Sequence, residues 1–154
     1  MKMGYGSVKL TDKFAGELVG ALTEINITLP KYDFHCTVMY DERECPIPRC
    51  DVDPEKIFKA TVIGVELLGD AIVFDLVSTD LLAEHMRLIR AGYKHSYDDF
   101  KAHMSIIYKP DRYDTINIIH KMNDWMGKEI TFNDMLTKTT DAIDLDAVDF
   151  SILK

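Results

Sequence analysis

A chain of 154 residues that is 47% hydrophobic, 10% aromatic and 29% charged has the make-up of one ordinary globular domain. At that length folding removes about 70% of the unfolded surface from water, so a full core forms without disulfide or metal staples. The formal net charge of −8 excludes a uniformly basic surface that coats long nucleic acid, and leaves room for a small anion in a local basic pocket.

Tyr5 to Leu10 reads as a short strand, and Thr11 or Asp12 caps a helix whose apolar stripe is Phe14, Leu18, Leu22 and Ile25. Pro30 closes that unit. Asp33 to Tyr40 is too short and too β-branched for a helix and is expected as a strand, followed by the polar loop Asp41 to Pro54. Ile57 to Leu68 and Ala71 to Ser78 are strand-like runs joined at Gly69-Asp70, a pair suited to a tight hairpin. A helix is predicted from Thr79 to Ala91 with Gly92 as its stop, then a strand from Ala102 to Tyr108. Asp111 or Asp114 starts a last helix carrying Ile118, Ile119, Met122, Trp125 and Met126, ended by Gly127. Two strands, near Lys128 to Phe132 and Ala142 to Leu153, finish the chain. The class is α+β with an antiparallel or mixed sheet, in one domain over 1–154, since no Pro, Gly or Ser-rich linker divides it.

Three cysteines, Cys36, Cys45 and Cys50, are odd in number and lack framework spacing, as in a reducing compartment. The start MKMGYGSVKL has no apolar signal core, and no run approaches the roughly 18 apolar residues of a membrane span. Together these predict a cytoplasmic protein. Charge is uneven: His85 to Arg112 carries +3 and the remainder −11, which suggests focusing of a compact anion as much as a solvated helix face.

The segment F-H-C-T-V-M-Y (Phe34 to Tyr40) recurs 68 residues later as A-H-M-S-I-I-Y (Ala102 to Tyr108). Residues i and i+2 of a strand share a face, so His35 and Thr37 separate from Cys36 and Val38, and His103 and Ser105 from Met104 and Ile106. Each copy presents an imidazole beside a hydroxyl. If the copies lie side by side about a pseudo-two-fold axis, two His and two hydroxyls converge. Two imidazoles can serve as general base and general acid in one displacement, and two hydroxyls can bind the non-bridging oxygens of a phosphate between them. Sixteen of 154 residues are Ser or Thr, so the hydroxyl spacing alone would recur by chance in about one sequence in twelve. The matched strand context, aliphatic fourth position and final Tyr carry the inference.

The pair H-C-T and H-M-S, flanked by apolar residues, resembles the H-x-[T/S] signature of the two-histidine (2H) phosphoesterase superfamily. The resemblance implies a bilobal fold, two pseudo-symmetric lobes around a central cleft with one motif each. The G-Y-G-S start and H-M-R-L-I-R-A-G-Y-K-H-S-Y-D-D-F-K-A-H-M-S look most like its bacteriophage anti-CBASS branch. The implied activity is cleavage of the 3′,5′ bonds of cyclic di- and trinucleotide messengers, in host bacterial cytoplasm, with no cofactor and no metal. His35, Thr37, His103 and Ser105 are the implied catalytic set. The alternatives are an RNA-end 2′,3′-cyclic phosphodiesterase, whose long polyanion a chain of charge −8 repels, and a sequestering protein that binds without cleaving.

Tyr5, between two glycines, is a candidate for stacking on a base, with a core tyrosine as the alternative. Tyr93, Tyr97 and Trp125 are further rings; Trp125 lies on the apolar helix stripe and is expected in the core. His95, in the basic segment, is a candidate phosphate ligand beside the plainer reading of a solvated loop residue. Cys45 and Cys50 with His35 make a poor zinc set, because C-x₄-C is unfavourable ligand spacing. His85 and His120 fall on helices and receive no role. Asp141, Asp144, Asp146 and Asp149 mark a solvent face.

Overall fold

Gly69, at φ 59°, turns the chain back after the eleven residues Phe58–Leu68, so that Leu68 pairs with Ala71 across a hairpin. The computed structural model describes residues 4–29, 34–43, 50–97 and 99–139. Their order is β1 (Gly4–Leu10), α1 (Asp12–Glu24), β2 (His35–Asp41), β3 (Phe58–Leu68), β4 (Ala71–Val77), α2 (Thr79–Arg90), β5 (His103–Tyr108), α3 (Arg112–Met122), a 3₁₀ turn (Asn123–Trp125) and β6 (Glu129–Thr139). The expected turn at Gly69, the Asp111 cap and the glycine stops hold: Asp111 accepts from the Asp114 N–H, while Gly92 and Gly127 adopt the positive φ that ends a helical segment. Ser78, expected only as the end of a strand, caps α2 by accepting from the Leu81 N–H. Thr11 stands at the N-cap of α1, but its hydroxyl meets that of Thr131 at 2.8 Å instead of capping, tying the helix start to β6.

The strands close in the order β1-β2-β5-β4-β3-β6, and β6 returns to β1. Every pairing among the described residues is antiparallel, so the mixed alternative does not apply. β6 is a correction to the expected strand at 128–132: it runs on to Thr139. Asn133-Asp134 reads as a break, yet Asp134 at φ 53° accommodates the irregularity and Met135 re-enters the core. The expected strand from Ala142, with its aspartates, lies outside the described residues, as do Asp33 and Cys45.

The main core lies between the helices and one face of the sheet. Leu18 and Leu22 of α1, Leu81 and Leu88 of α2, and Ile118 and Met122 of α3 meet Val8, Leu10, Cys36, Phe58, Phe74, Met104 and Phe132. Truncating any of those three fully buried phenylalanines to Ala would cost about 3–5 kcal/mol. Trp125, expected in the core, stacks on Phe74 with ring centres 5.5 Å apart. A second, smaller cluster of Tyr5, Tyr40, Ala71 and Val73 gathers apart from this core, with Leu68 and Tyr97 packed on it. Strand alternation puts it on the other face, with the polar residues of the repeat; Tyr40 joins it because the β1–β2 register shifts at Val38.

Candidate functional site

β2 and β5 touch at a single ladder pair, Cys36 with Met104. These are the central residues of H-C-T and H-M-S, and both side chains are fully buried in the main core. Counting one position either way along an antiparallel pair sets His35 opposite Ser105 and Thr37 opposite His103, all four on the face away from that core. The repeat therefore meets itself head to tail, as the side-by-side arrangement requires. Burial pushes the Cys36 thiol up to about 12, against a backbone N–H of His103, so it is an inert core thiol.

The flanking strands complete the surface. β1 brings Ser7 opposite Thr37 and Lys9 opposite His35; β4 brings Val73 opposite Ser105 and Asp75 opposite His103. The Thr37 hydroxyl donates to the Tyr5 hydroxyl at 3.4 Å. His103 Nδ1 lies 2.7 Å from the Lys101 carbonyl, which can only accept, so Nδ1 carries the hydrogen and the lone pair of the neutral ring sits on Nε2. That Nε2 and Ser105 Oγ are both buried and have no hydrogen-bond partner among the described residues. An orphaned buried polar atom costs about 1–3 kcal/mol, a cost a ligand bridging the two would recover.

Tyr5 is 6% exposed, its ring in the smaller cluster and its hydroxyl on Thr37. Tyr93 is placed elsewhere: it is 4% exposed in the main core and bonded to Thr137. His95 is half-buried, and its Nδ1 accepts the Tyr40 N–H at 3.2 Å. Burial, then the neighbouring His85 ring, pull His95 down to about 4, with Asp41 opposing, so at neutral pH it carries no charge to offer a phosphate. His85 also has a structural place: Nδ1 meets the Val38 carbonyl at 2.7 Å and the ring stacks on Phe100. Tyr97 stacks on Tyr40 at 6.2 Å, over the smaller cluster. Among the described residues no group of three or more His, Cys, Asp or Glu is arranged to hold a metal.

Sequence reasoning missed Ser7, Lys9 and Asp75. The first two needed the β1–β2 register. Asp75 had a visible signal, the single charge in the apolar run A-I-V-F-D-L-V, whose position opposite His103 only the β4–β5 pairing reveals.

A family model described as Anti-CBASS protein Acb1 matches residues 4–141, from the start of β1 past the end of β6. The chain belongs to the anti-CBASS Acb1 family. Both copies of the repeat lie inside the match, and membership places the chain among proteins that counteract CBASS signalling. A search of curated proteins returns no match to it. No helix among the described residues is long and apolar enough to cross a membrane.

Proposed function

We propose that this Acb1-family chain is a metal-independent phosphodiesterase of the two-histidine type, which opens the 3′,5′ bonds of cyclic di- or trinucleotide messengers and so blunts CBASS. The observation that carries this reading is the pair of buried, unpartnered atoms, His103 Nε2 and Ser105 Oγ, at a seam where a second His and hydroxyl stand opposite. We read the ring as two related lobes, β6-β1-β2 and β5-β4-β3, joined at that seam. A phosphate between the motifs would accept hydrogen bonds from Thr37 and Ser105 on its non-bridging oxygens.

One imidazole takes the proton of the ribose 2′-hydroxyl as that oxygen attacks phosphorus. The other gives its proton to the departing 5′-oxygen, leaving a 5′-hydroxyl and a 2′,3′-cyclic phosphate. Water then opens the cyclic phosphate to a 3′-phosphate. Nε2 is the reactive atom of His103, since Nδ1 is committed to the Lys101 carbonyl. All charge developing on the phosphate is met by imidazolium and hydroxyl groups, so the mechanism asks for no metal.

Incubation with 3′,3′-linked cyclic dinucleotides, a cyclic trinucleotide and a labelled RNA bearing a 2′,3′-cyclic phosphate, with and without excess chelator, tests the reading by chromatography of the products. Linear products from the cyclic nucleotides at the same rate in chelator are expected. Hydrolysis of the RNA end alone would turn the assignment to end processing, tight binding with no product would make the chain a sequestering protein, and activity abolished by chelator and restored by a metal would overturn the mechanism.

A further inference from the structure

Glu66, Asp75 and His103 stand on three consecutive strands. Asp75 pairs with His103 across β4 and β5 and with Gly64 across β4 and β3, while Glu66 pairs with Val73, itself opposite Ser105. Opposed residues project from the same face, so the Asp75 carboxyl shares the face of His103 and Ser105. Gly64 leaves it room: a Cβ there would stand 3.0 Å from Asp75 Oδ2, so the carboxyl lies over the glycine. Glu66, two residues along β3 from Gly64, is the diagonal neighbour of Asp75 on that face. Two carboxyls that share a site disfavour double ionisation, and because ionised carboxylates only accept, one proton lets them bond to each other.

Burial, then the hydrogen bond with Glu66 and its negative charge, push Asp75 up to about 7, while Lys101 pulls the other way. The groups facing Asp75 are Glu66 from β3, and His103 with the preceding Lys101 from the β5 side. Near neutrality the pair stands between one negative charge and two. A second negative charge beside His103 matters to an anion seated there, whereas a single charge steadies an imidazolium at small cost to that anion.

Resting on the phosphodiesterase reading above, we infer that Asp75 and Glu66 form a one-proton pair beside His103, which admits a phosphodiester while it holds its proton and turns the anion away once it loses it. The orphaned Ser105 Oγ and His103 Nε2 independently mark the place the anion would occupy. Neither carboxyl exchanges a proton with substrate. The pair sets the charge against which the substrate binds.

Two measurements test this, and the first needs no substrate. Carboxyl-carbon NMR of the full chain should show Asp75 titrating near pH 7, and lower by about one unit or more in Glu66→Gln; a wild-type midpoint near the ordinary value of about 4 overturns the pair. The second compares KM for a 3′,3′-linked cyclic dinucleotide at pH 9 and pH 6.5. The ratio should be about three- to tenfold smaller in Asp75→Asn than in wild type. An unchanged ratio overturns the gate. Glu66→Gln, at an exposed residue, guards against misfolding of the first variant: it leaves at most one negative charge beside His103, so it should flatten the KM rise as Asp75→Asn does, and a rise left in place also counts against the pair. If wild type cleaves nothing while Asp75 still titrates near pH 7, the phosphodiesterase reading and the gate fall together, and only the shared proton stands.

Discussion

Ser105 is 6% exposed and its hydroxyl bonds to nothing among the described residues, an expense that a plain core position would avoid with Ala or Val. If it and Thr37 meet charge growing on phosphate oxygens, Ser105→Ala and Thr37→Ala lower kcat by about 10- to 1,000-fold with smaller changes in KM. The melting temperature of Ser105→Ala stays level or rises, because an orphaned buried hydroxyl is removed. His35→Ala and His103→Ala each cost about 100- to 10,000-fold, and the double variant much less than their product, since a base and an acid working in one step fail as a unit. Steady-state kinetics beside thermal melts separate these outcomes. A fully active His103→Ala enzyme sinks the two-histidine mechanism, and a melted Thr37→Ala would move that residue into a packing role.

At the scale of elements, the stretch from Gly92 to Tyr97 is strapped along the end of β2. Lys94 N–H and the Arg43 guanidinium both reach the buried Asp41 carboxylate, Arg43 also reaches the Gly92 carbonyl, and the Ser96 N–H reaches the Tyr40 carbonyl. Burial alone would raise Asp41, but the Arg43 bond and the two backbone N–H groups outweigh it and hold the carboxyl below its ordinary range. Its stabilisation is therefore present above the unfolded value near 4 and is lost as pH falls through the lower folded value. His95 adds an earlier loss. Held neutral down to about 4 in the fold, it takes up a proton when unfolded from about 6.5 downward, so stability drops across that window. Thermal melts from pH 7 to 4 should show the decline, and His95→Gln, whose amide oxygen can still accept the Tyr40 N–H, should flatten it above pH 4.5. Asp41→Asn should cost about 1–3 kcal/mol at pH 7 in denaturant melts, discounted for the exposure of Arg43. A His95→Gln slope equal to that of wild type would remove His95 from the account.

For the molecule as a whole, the proposed activity requires that an acidic chain of net charge −8 draw a small anion into one place without attracting long polyanions. Lys9 beside His35, Lys101 beside His103 and the sheltered hydroxyls confine the favourable field to the seam. Kd for a cyclic dinucleotide, measured with His103→Ala to prevent turnover, should rise with salt at a log–log slope of about 1 to 2, the count of phosphates held. A 20-nucleotide RNA should bind at least about tenfold more weakly at low salt, where repulsion by the surrounding acidic surface is least screened. Tighter binding of the RNA would point to an end-processing substrate.

Local chemistry was legible in the chain itself. The cap Asp111, the turn at Gly69-Asp70, the stops at Gly92 and Gly127 and the alternation within H-C-T and H-M-S depend on residues a few positions apart, where backbone sterics and side-chain reach decide the outcome. The repeat also singled out the four residues that the β2–β5 register sets on one face, because two copies of one pattern need no partner strand to be noticed. What the tertiary structure decided was pairing between distant segments. Closure of the ring, the Cys36–Met104 seam, the eleven-residue β6 with its irregular Asp134, and the placing of Tyr93 in the core all turn on contacts spanning tens of residues. Asp75 is the sharpest instance: in the sequence it is one acid in an apolar strand, and only the registers of β3, β4 and β5 bring Glu66 and His103 to its sides. A strand's own residues set which of them share a face, but the neighbour that face meets is chosen by burial summed over the whole sheet.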